Sequence, residues 1–218
     1  RLINSNDAAA GGACTTNTND YPITNVAYYK MSSAADEKGA YNGTASNVNF
    51  NVQGKFGNAG EFNGSSSQIE VSTTSTTPVD FSSKNYSLSL WVNTTSTTLG
   101  VLLSKYGDTD ATRAFTLQSR ANGTVEQYER STGNSVTTNT TTTINDGNWH
   151  HIVVVRSSTS TIIYIDNSPT TNNNTFTSNN GGTEPFRIGR DNIGSPDYFN
   201  GKIDQVRIFD SALDATQV

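Results

Sequence analysis

The sequence predicts an all-β protein folded as a two-sheet antiparallel β-sandwich, and three observations support this prediction. From Val26 onward, short apolar runs recur between turn-rich segments, which is the spacing of a sandwich or barrel. The run YSLSLWV alternates strictly, so Tyr86, Leu88, Leu90 and Val92 share one face of a strand. No stretch shows a helical period of useful length. With 218 residues, the chain fits one large sandwich better than two small domains.

Two regions are distinguished along the chain. Residues 1–24 are small, polar and aperiodic, which indicates a linker or arm. Residues 25–218 carry the strand pattern and are expected to form one domain. The single cysteine, Cys14, lies in the arm and excludes an intrachain disulfide. We expect a free or buried thiol there, and a link between two chains is the alternative.

The strands follow in order from YSLSLWV. Four more segments, GVLLSKY, RAFTLQS, TVEQYER and NSVTTNTTTT, read as strands between loops. The run WHHIVVVR is apolar on both faces, which predicts a central strand covered on both sides. STIIYID follows, with a turn at residues 166–169, and PFRIG and KIDQVRIF close the pattern. The end, SALDATQV, starts one helical turn or forms a link to a next domain.

Composition excludes some partners. The net charge is −5 with a pI near 4.9, and no basic cluster stands out, so neither nucleic acid nor an anionic membrane surface is expected as a partner. No apolar run approaches the roughly 18 residues of a membrane span, so no membrane insertion is expected. The chain opens with Arg1 and shows no signal-peptide pattern, which is typical of a piece of a longer protein.

Six motifs in order carry a family resemblance: KFGNAGEFNGSSSQIEV, YSLSLWVNT, NDGNWHHIVVVR, IYIDN, FRIGRDN and YFNGKIDQVRIFDSALDATQV. Over about residues 25–218 the chain resembles the laminin-G-like jelly-roll domain of the concanavalin A-like lectin/glucanase superfamily. The resemblance implies two antiparallel sheets of about six or seven strands, packed face to face. The opening segment GGACTTNTNDYPITNVAYYKM is similar to the stretch that precedes such domains in tail-fibre and appendage proteins of marine bacteriophages.

No catalytic pattern is present, and the chain is not expected to be an enzyme. Glucanases of the superfamily place carboxylates in a Glu-x-Asp-x-x-Glu pattern, and retaining hydrolysis needs two of them about 5 Å apart. The nearest candidates, Glu126 and Glu129, have an odd spacing that puts them on opposite faces of a strand. His150 and His151 are strand neighbours and cannot hold one metal together, so packing and hydrogen bonding are expected of them.

Asp204 raises a metal hypothesis. Alternation places it on the face of Val206 and Ile208, and an inward carboxylate needs a cation or strong donors. The resemblance implies a structural Ca²⁺ near this position, with Asp36 of an early loop as the second side-chain ligand. A salt bridge to Arg187 or Lys202, and hydrogen bonds from loop amides, are the alternatives.

A sugar site combines an aromatic face with a few polar groups. Such residues cluster in segments that read as loops, where ligands often bind. The alternatives are that Tyr198 and Phe199 pack at the sandwich edge, and that the acidic loop residues are solvated or hold Ca²⁺. The predicted ligand-binding residues are Tyr106, Asp108, Asp110, Asp191, Asn192 and Tyr198.

These observations predict a non-catalytic surface- or carbohydrate-binding module of a virion fibre or appendage, located on the virion surface, that attaches to host-surface glycans. Other virion or fibre subunits are expected partners. A purely structural or decorating virion module and a bacterial extracellular or cell-surface adhesion domain are the alternatives. Homo-oligomerisation is left open, because no coiled-coil heptad is present to specify it.

Overall fold

A computed structural model describes residues 25–71, 81, 85–109, 112–131, 134–173 and 184–218. The expectations for the arm, for Cys14 and for Asp110 lie outside the described residues. Within them lie 15 strands in two antiparallel sheets, which confirms the predicted all-β sandwich. No helix of the described part is long and apolar enough to span a membrane.

The first sheet has eight strands in the order β13-β12-β11-β6-β15-β4-β3, with β1 paired to β15. The second has seven, in the order β10-β9-β8-β7-β14-β5-β2. The first sheet contains β1 (Ala27–Tyr29), β3 (Asn49–Gln53), β4 (Asn58–Asn63), β6 (Tyr86–Asn93), β11 (Trp149–Arg156), β12 (Thr161–Ile165), β13 (Ser168–Asn172) and β15 (Asn200–Phe209). The second contains β2 (Gly43–Ser46), β5 (Gln68–Val71), β7 (Gly100–Lys105), β8 (Phe115–Ser119), β9 (Thr124–Ser131), β10 (Asn134–Thr143) and β14 (Phe186–Ile188).

The predicted turn after STIIYID joins β12 to β13. Asp166 and Asn167 have φ angles of 51° and 70°, and Ile165 pairs with Ser168 across them. Two successive positive φ angles give the twist that a two-residue hairpin needs, and Asn and Asp tolerate them better than most residues.

The core lies between the sheets and follows the predicted alternation. Leu88, Leu90 and Val92 of β6 are buried against the second sheet. Aromatic rings fill one part of this layer, where Phe81 packs edge-on against Tyr86 with ring centroids 5.0 Å apart. Burying such side chains supplies most of the folding free energy, at about 25 cal/mol per Å² of apolar surface.

The central strand β11 is covered on both sides, as its sequence predicts. Val153 and Val155 point away from the main core and pack in a second cluster with Phe209, Leu213 and Val218. The chain end therefore folds back over the first sheet. It makes one turn, in which the amides of residues 217 and 218 donate to the carbonyl of residue 214.

A β-bulge in β15 overturns the predicted face of Asp204. The register with β6 shifts by one residue between Asp204 and Arg207, and Gln205 has a φ of 53°. Asp204 therefore lies opposite Trp91, on the face that points away from the core, whereas Val206 belongs to the core. Simple alternation fails here because the extra residue inverts every side chain before it relative to those after it.

A polar network crosses the core beside the rings. The guanidinium of Arg156 pairs with Glu129 at 2.7 Å, and both side chains are 2% exposed. Tyr86 donates to the same carboxylate at 2.6 Å, and Gln127 donates to the Tyr86 hydroxyl at 2.7 Å. Burial raises the pKa of Glu129 above its usual range, although Arg156 and Tyr86 oppose that effect.

Candidate ligand-binding site

The outer face of the second sheet, which points away from the core, carries polar side chains. Phe115 and Leu117 of β8 are core residues, so Thr116 and Gln118 between and after them point outward. Tyr128 lies opposite Thr116, and Glu126 lies opposite Gln118. This face offers hydrogen-bonding groups on a rigid scaffold.

A loop of residues 189–199 lies beside this face. Its ends are joined by a 2.9 Å hydrogen bond from the Phe199 amide to the Gly189 carbonyl. Asn192 pairs with Gly107, and the Gly194 amide donates to Asp108 Oδ1 at 2.9 Å. The 189–199 loop is therefore held against the segment that follows β7.

The two segments bring tyrosines to the outer face. Tyr106 packs edge-on against Tyr128, with ring centroids 5.9 Å apart. Tyr198 pairs with Val101 of β7, and its hydroxyl accepts a hydrogen bond from Arg190 at 3.0 Å. All three tyrosines are partly exposed. Burial raises the pKa of Tyr106 to about 12, so its hydroxyl is a hydrogen-bond donor at neutral pH.

Asn192 lies at the centre of the polar groups. Its side-chain oxygen accepts from Arg190 at 2.9 Å, and its side-chain amide donates to Glu184 at 2.7 Å. Its backbone amide donates to the Tyr106 carbonyl at 3.1 Å. The orientation of the Asn192 side-chain amide is thus fixed, because its oxygen and its nitrogen each have a specific partner.

The predicted acidic residues separate into two kinds. Asp108 is exposed, whereas Asp191 is only 4% exposed and accepts a hydrogen bond from the Asp197 amide at 3.1 Å. Burial raises the pKa of Asp191 to about 6, and burial also raises that of Asp197. Asp191 therefore holds the loop from inside, and Asp108 is the carboxylate that reaches solvent.

Of the predicted site residues, the structure brings together Tyr106, Asp108, Asn192 and Tyr198, with Asp191 beneath them. Sequence reasoning omitted Arg190, which holds both Tyr198 and Asn192. The signal was present, because Arg190 directly precedes two residues that were chosen. Phe199 is buried in the core, as the edge-packing alternative expected, while Tyr198 is not.

Asp36 organises its own loop. Its carboxylate accepts hydrogen bonds from four backbone amides at 2.9 to 3.2 Å, those of Tyr28, Lys38, Ala40 and Tyr41. Asp204 is fully buried and accepts one from the Phe56 amide at 2.9 Å, while its other oxygen, Oδ1, has no hydrogen-bond partner. Of the alternatives to a metal, a hydrogen bond from a loop amide is therefore the one observed for Asp204. The alternative of a salt bridge to Arg187 is not observed, because Arg187 pairs with Glu70 and Glu184.

The structural Ca²⁺ stays a prediction. Among the residues that the structure describes, no group of three or more His, Cys, Asp or Glu side chains is placed to hold a metal ion. The Asp36 oxygens are engaged by amides, whereas the Asp204 Oδ1 atom has a lone pair for a cation.

We expect Asp204→Asn to raise the free energy of unfolding at neutral pH by about 1 to 3 kcal/mol in the absence of Ca²⁺. Burial raises the folded pKa of Asp204 to about 6, so ionisation opposes folding. The contribution of Asp204 to wild-type stability is greatest below the ordinary Asp pKa of about 3.9 and falls as the pH rises through about 6. Urea unfolding across this range should show a flatter profile for the variant.

The same variant tests the metal. If Ca²⁺ binds at Asp204, adding Ca²⁺ raises the melting temperature of the wild type and leaves that of Asp204→Asn unchanged. A wild-type melting temperature that a chelator does not alter would contradict the calcium prediction.

The remaining titratable candidates have structural partners. Glu126 points outward to Gln118 and Arg120, while Glu129 points inward, which confirms that they lie on opposite faces. His151 stacks on Trp91 with ring centroids 4.9 Å apart and shares a 2.9 Å hydrogen bond with Ser89. His150 lies between two aspartates, Asp146 at 2.9 Å and Asp166 at 2.7 Å, as the expected hydrogen bonding requires.

Comparison with known proteins identifies the family to which the fold belongs. Residues 63–218 match the family model described as the concanavalin A-like lectin/glucanases superfamily. No curated protein matches the sequence significantly.

Solved structures share the fold. Domain 4 of AbnA, an extracellular arabinanase from Geobacillus stearothermophilus solved with arabinotriose, superposes with a TM-score of 0.70 at 22% identity, over 89% of this chain and 96% of that one. The binding domain of Paraclostridial Mosquitocidal Protein 1 gives a TM-score of 0.70 at 15% identity, over 88% and 50%. The binding domain of botulinum neurotoxin DC, solved with SialylT, gives 0.63 at 13%, over 84% and 46%. The chain spans about half the length of these toxin domains.

Proposed function

Because the chain belongs to the concanavalin A-like lectin/glucanase superfamily, we propose that it is a non-catalytic module that binds carbohydrate on the outer face of the second sheet. One observation carries the proposal. Three partly exposed tyrosines lie on that face, and Asn192 is linked to Tyr106 through its backbone amide and to Tyr198 through Arg190. Sugar recognition needs an apolar ring against the sugar face and oriented groups for the hydroxyls, and this arrangement offers both.

Two lines of support come from outside the site. The structural neighbours include an arabinanase domain solved with arabinotriose and a toxin binding domain solved with SialylT. A non-enzymatic role is supported by the opposed directions of Glu126 and Glu129, because two carboxylates on opposite faces of a sheet cannot flank one glycosidic bond.

A glycan array probed with the full chain tests the proposal, once with Ca²⁺ and once with a chelator. Saturable retention of one glycan class in either condition supports a binding module, and retention only with Ca²⁺ also supports the metal. A folded chain that retains no glycan in either condition would overturn the proposal in favour of a structural or decorating role.

We expect Tyr198→Ala to weaken binding of the retained glycan by at least about tenfold, because the ring supplies contact area that alanine lacks. Tyr28→Ala is the matched control. Tyr28 also carries a stacked arginine, Arg207, with 4.1 Å from the guanidinium to the ring centroid, but it belongs to the first sheet. Titration calorimetry should give wild-type affinity for Tyr28→Ala, and equal losses for both variants would count against this site.

The biological setting is the finer part of the proposal. We place the module on a virion fibre or appendage, where it attaches to host-surface glycans. The support is the similarity of the opening segment to stretches that precede such domains in phage fibre proteins. Labelled chain that binds host cells, and loses binding after enzymatic removal of surface polysaccharide, would support host attachment. Binding that survives this treatment would contradict it.

A further inference from the structure

Each tyrosine of the site is accompanied by an arginine. The Arg113 guanidinium lies 5.2 Å from the Tyr106 ring centroid, and that of Arg190 lies 5.3 Å from the Tyr198 ring centroid. Arg130 donates to the Tyr128 hydroxyl at 3.2 Å. Three guanidinium groups therefore border the rings that a sugar would contact.

Arg190 is held by neutral oxygens. It donates to the Asp191 carbonyl at 2.5 Å, to the Tyr198 hydroxyl at 3.0 Å and to the Asn192 side-chain oxygen at 2.9 Å. Among the described residues its hydrogen bonds are to neutral oxygens, and its charge also acts on the buried Asp191 carboxylate, whose pKa it lowers against the larger effect of burial. Because a guanidinium has five N–H donors, Arg190 is oriented by three bonds and retains further donors for an anionic group.

The charge of the other arginines acts on the same face. Arg113 donates to the carbonyl oxygens of Gly107 and Asp108 at 3.1 and 3.0 Å. Burial alone would raise the pKa of Tyr128, but the hydrogen bond and the charge of Arg130 help to lower it instead.

Two neighbouring carboxylates of the described residues, Glu184 and Asp108, have donors of their own. Glu184 accepts from Asn192 and pairs with Arg187 at 3.5 Å, and Asp108 accepts from the Gly194 amide. Asp191 is buried beneath the loop. The chain as a whole has a net charge of −5, so a polyanion is repelled by most of the surface and any attraction must be local.

We propose that this site selects sugars that carry an anionic group, a carboxylate or a sulfate ester, which Arg190 and Arg113 bind while a tyrosine ring contacts the sugar. This inference rests on the proposed carbohydrate-binding function. A planar guanidinium forms paired hydrogen bonds with either anion, and such bonds are about twice as strong as those between neutral groups.

The test compares charged and neutral ligands of matched length. Oligogalacturonate is compared with its methyl ester, and κ-carrageenan oligosaccharides with agarose oligosaccharides, by titration calorimetry on the full chain. We expect at least about tenfold tighter binding of one charged member than of its neutral partner. The pair that discriminates identifies the anion as carboxylate or sulfate.

Arginine variants then locate the anion. Arg190→Gln and Arg113→Gln should each weaken binding of the charged ligand by about tenfold and leave binding of its neutral partner within about twofold. Arg120→Gln is the control, because this substitution removes the same charge at a position away from the site. Arg120 lies beyond the far end of β8, where it pairs with Glu126 at 3.2 Å. Arg113→Gln keeps the test decisive if Arg190→Gln alters the loop, which a fall in melting temperature would reveal.

Equal binding of charged and neutral partners would overturn the anionic selectivity and leave the proposed function intact. The same loss in Arg120→Gln as in Arg190→Gln would overturn the location, because it would show a general effect of charge. If a folded chain binds none of these ligands and no glycan on the array, the proposed function fails as well.

Discussion

Arg156→Met is expected to lower the free energy of unfolding by about 3 to 5 kcal/mol at neutral pH. The substitution leaves Glu129 without its cation in the core, where the carboxylate is 2% exposed. Burial already raises the pKa of Glu129, and loss of Arg156 removes an opposing effect. The penalty should therefore be smallest below the raised pKa that Glu129 has in the folded wild type and should grow as the pH rises through it. Urea unfolding at several pH values measures both quantities.

The double variant Glu129→Gln/Arg156→Met is the control. Removing both charges leaves no ion uncompensated, and a glutamine oxygen can still accept the hydrogen bond that Tyr86 donates to Glu129. Most of the stability should return, since buried pairs often contribute little compared with uncharged replacements. A single variant that loses less than about 1 kcal/mol would contradict this expectation, because it would show that Glu129 takes up a proton or is reached by water when Arg156 is absent.

Gly189→Ala is expected to cost about 2 to 4 kcal/mol and to weaken ligand binding at the same time. Gly189 begins the 189–199 loop with a φ of 92°, which side chains rarely adopt. An added Cβ would lie 2.3 Å from the ring of Phe62, which is buried and packs against Phe199 with centroids 6.2 Å apart. Because the Phe62 ring is buried in the core, we expect the loop to shift, and Tyr198 and Asn192 to shift with it. Melting curves and calorimetry on one preparation test both effects.

Gly39→Ala separates backbone strain from steric overlap. Gly39 also has a positive φ, of 76°, but an added Cβ there meets nothing within 4 Å. About 1 kcal/mol of strain without a change in binding is expected. Equal costs for the two variants would mean that the contact with Phe62 relaxes freely.

The sequence was sufficient for the architecture because each strand carries a periodic signal. Alternation in β6 and the doubly apolar β11 depend only on which faces are buried, and burial is what hydrophobic patterning records. The motifs also indicated the order in which strands occur. The pairing of strands such as β6 and β15 could not be predicted from these patterns, because it joins residues more than 100 positions apart in the sequence.

The candidate site was predictable as a set of residue types and not as a geometry. Tyr106 and Tyr198 were identified as aromatic residues near acidic loop residues, and the structure joins their two segments through Gly107 and Asn192. The burial of Asp191 was not predictable, since an aspartate in a loop is ordinarily exposed. The predicted face of Asp204 was wrong for a local reason: one additional residue in β15 reversed it, and no turn residue in KIDQVRIF indicates the bulge.

The register of β1 bears on how the module responds to mechanical force. Ala27 lies opposite Ile208 and Tyr29 opposite Val206, so the start of β1 and the end of β15 lie side by side. Tension applied through Asn25 and Asp210 would load the β1–β15 hydrogen bonds one after another, as in opening a zipper, and would not load them in parallel. β1 would detach first while β15 stays bonded to β6 and β4, and the outer face of the second sheet would keep its shape under load.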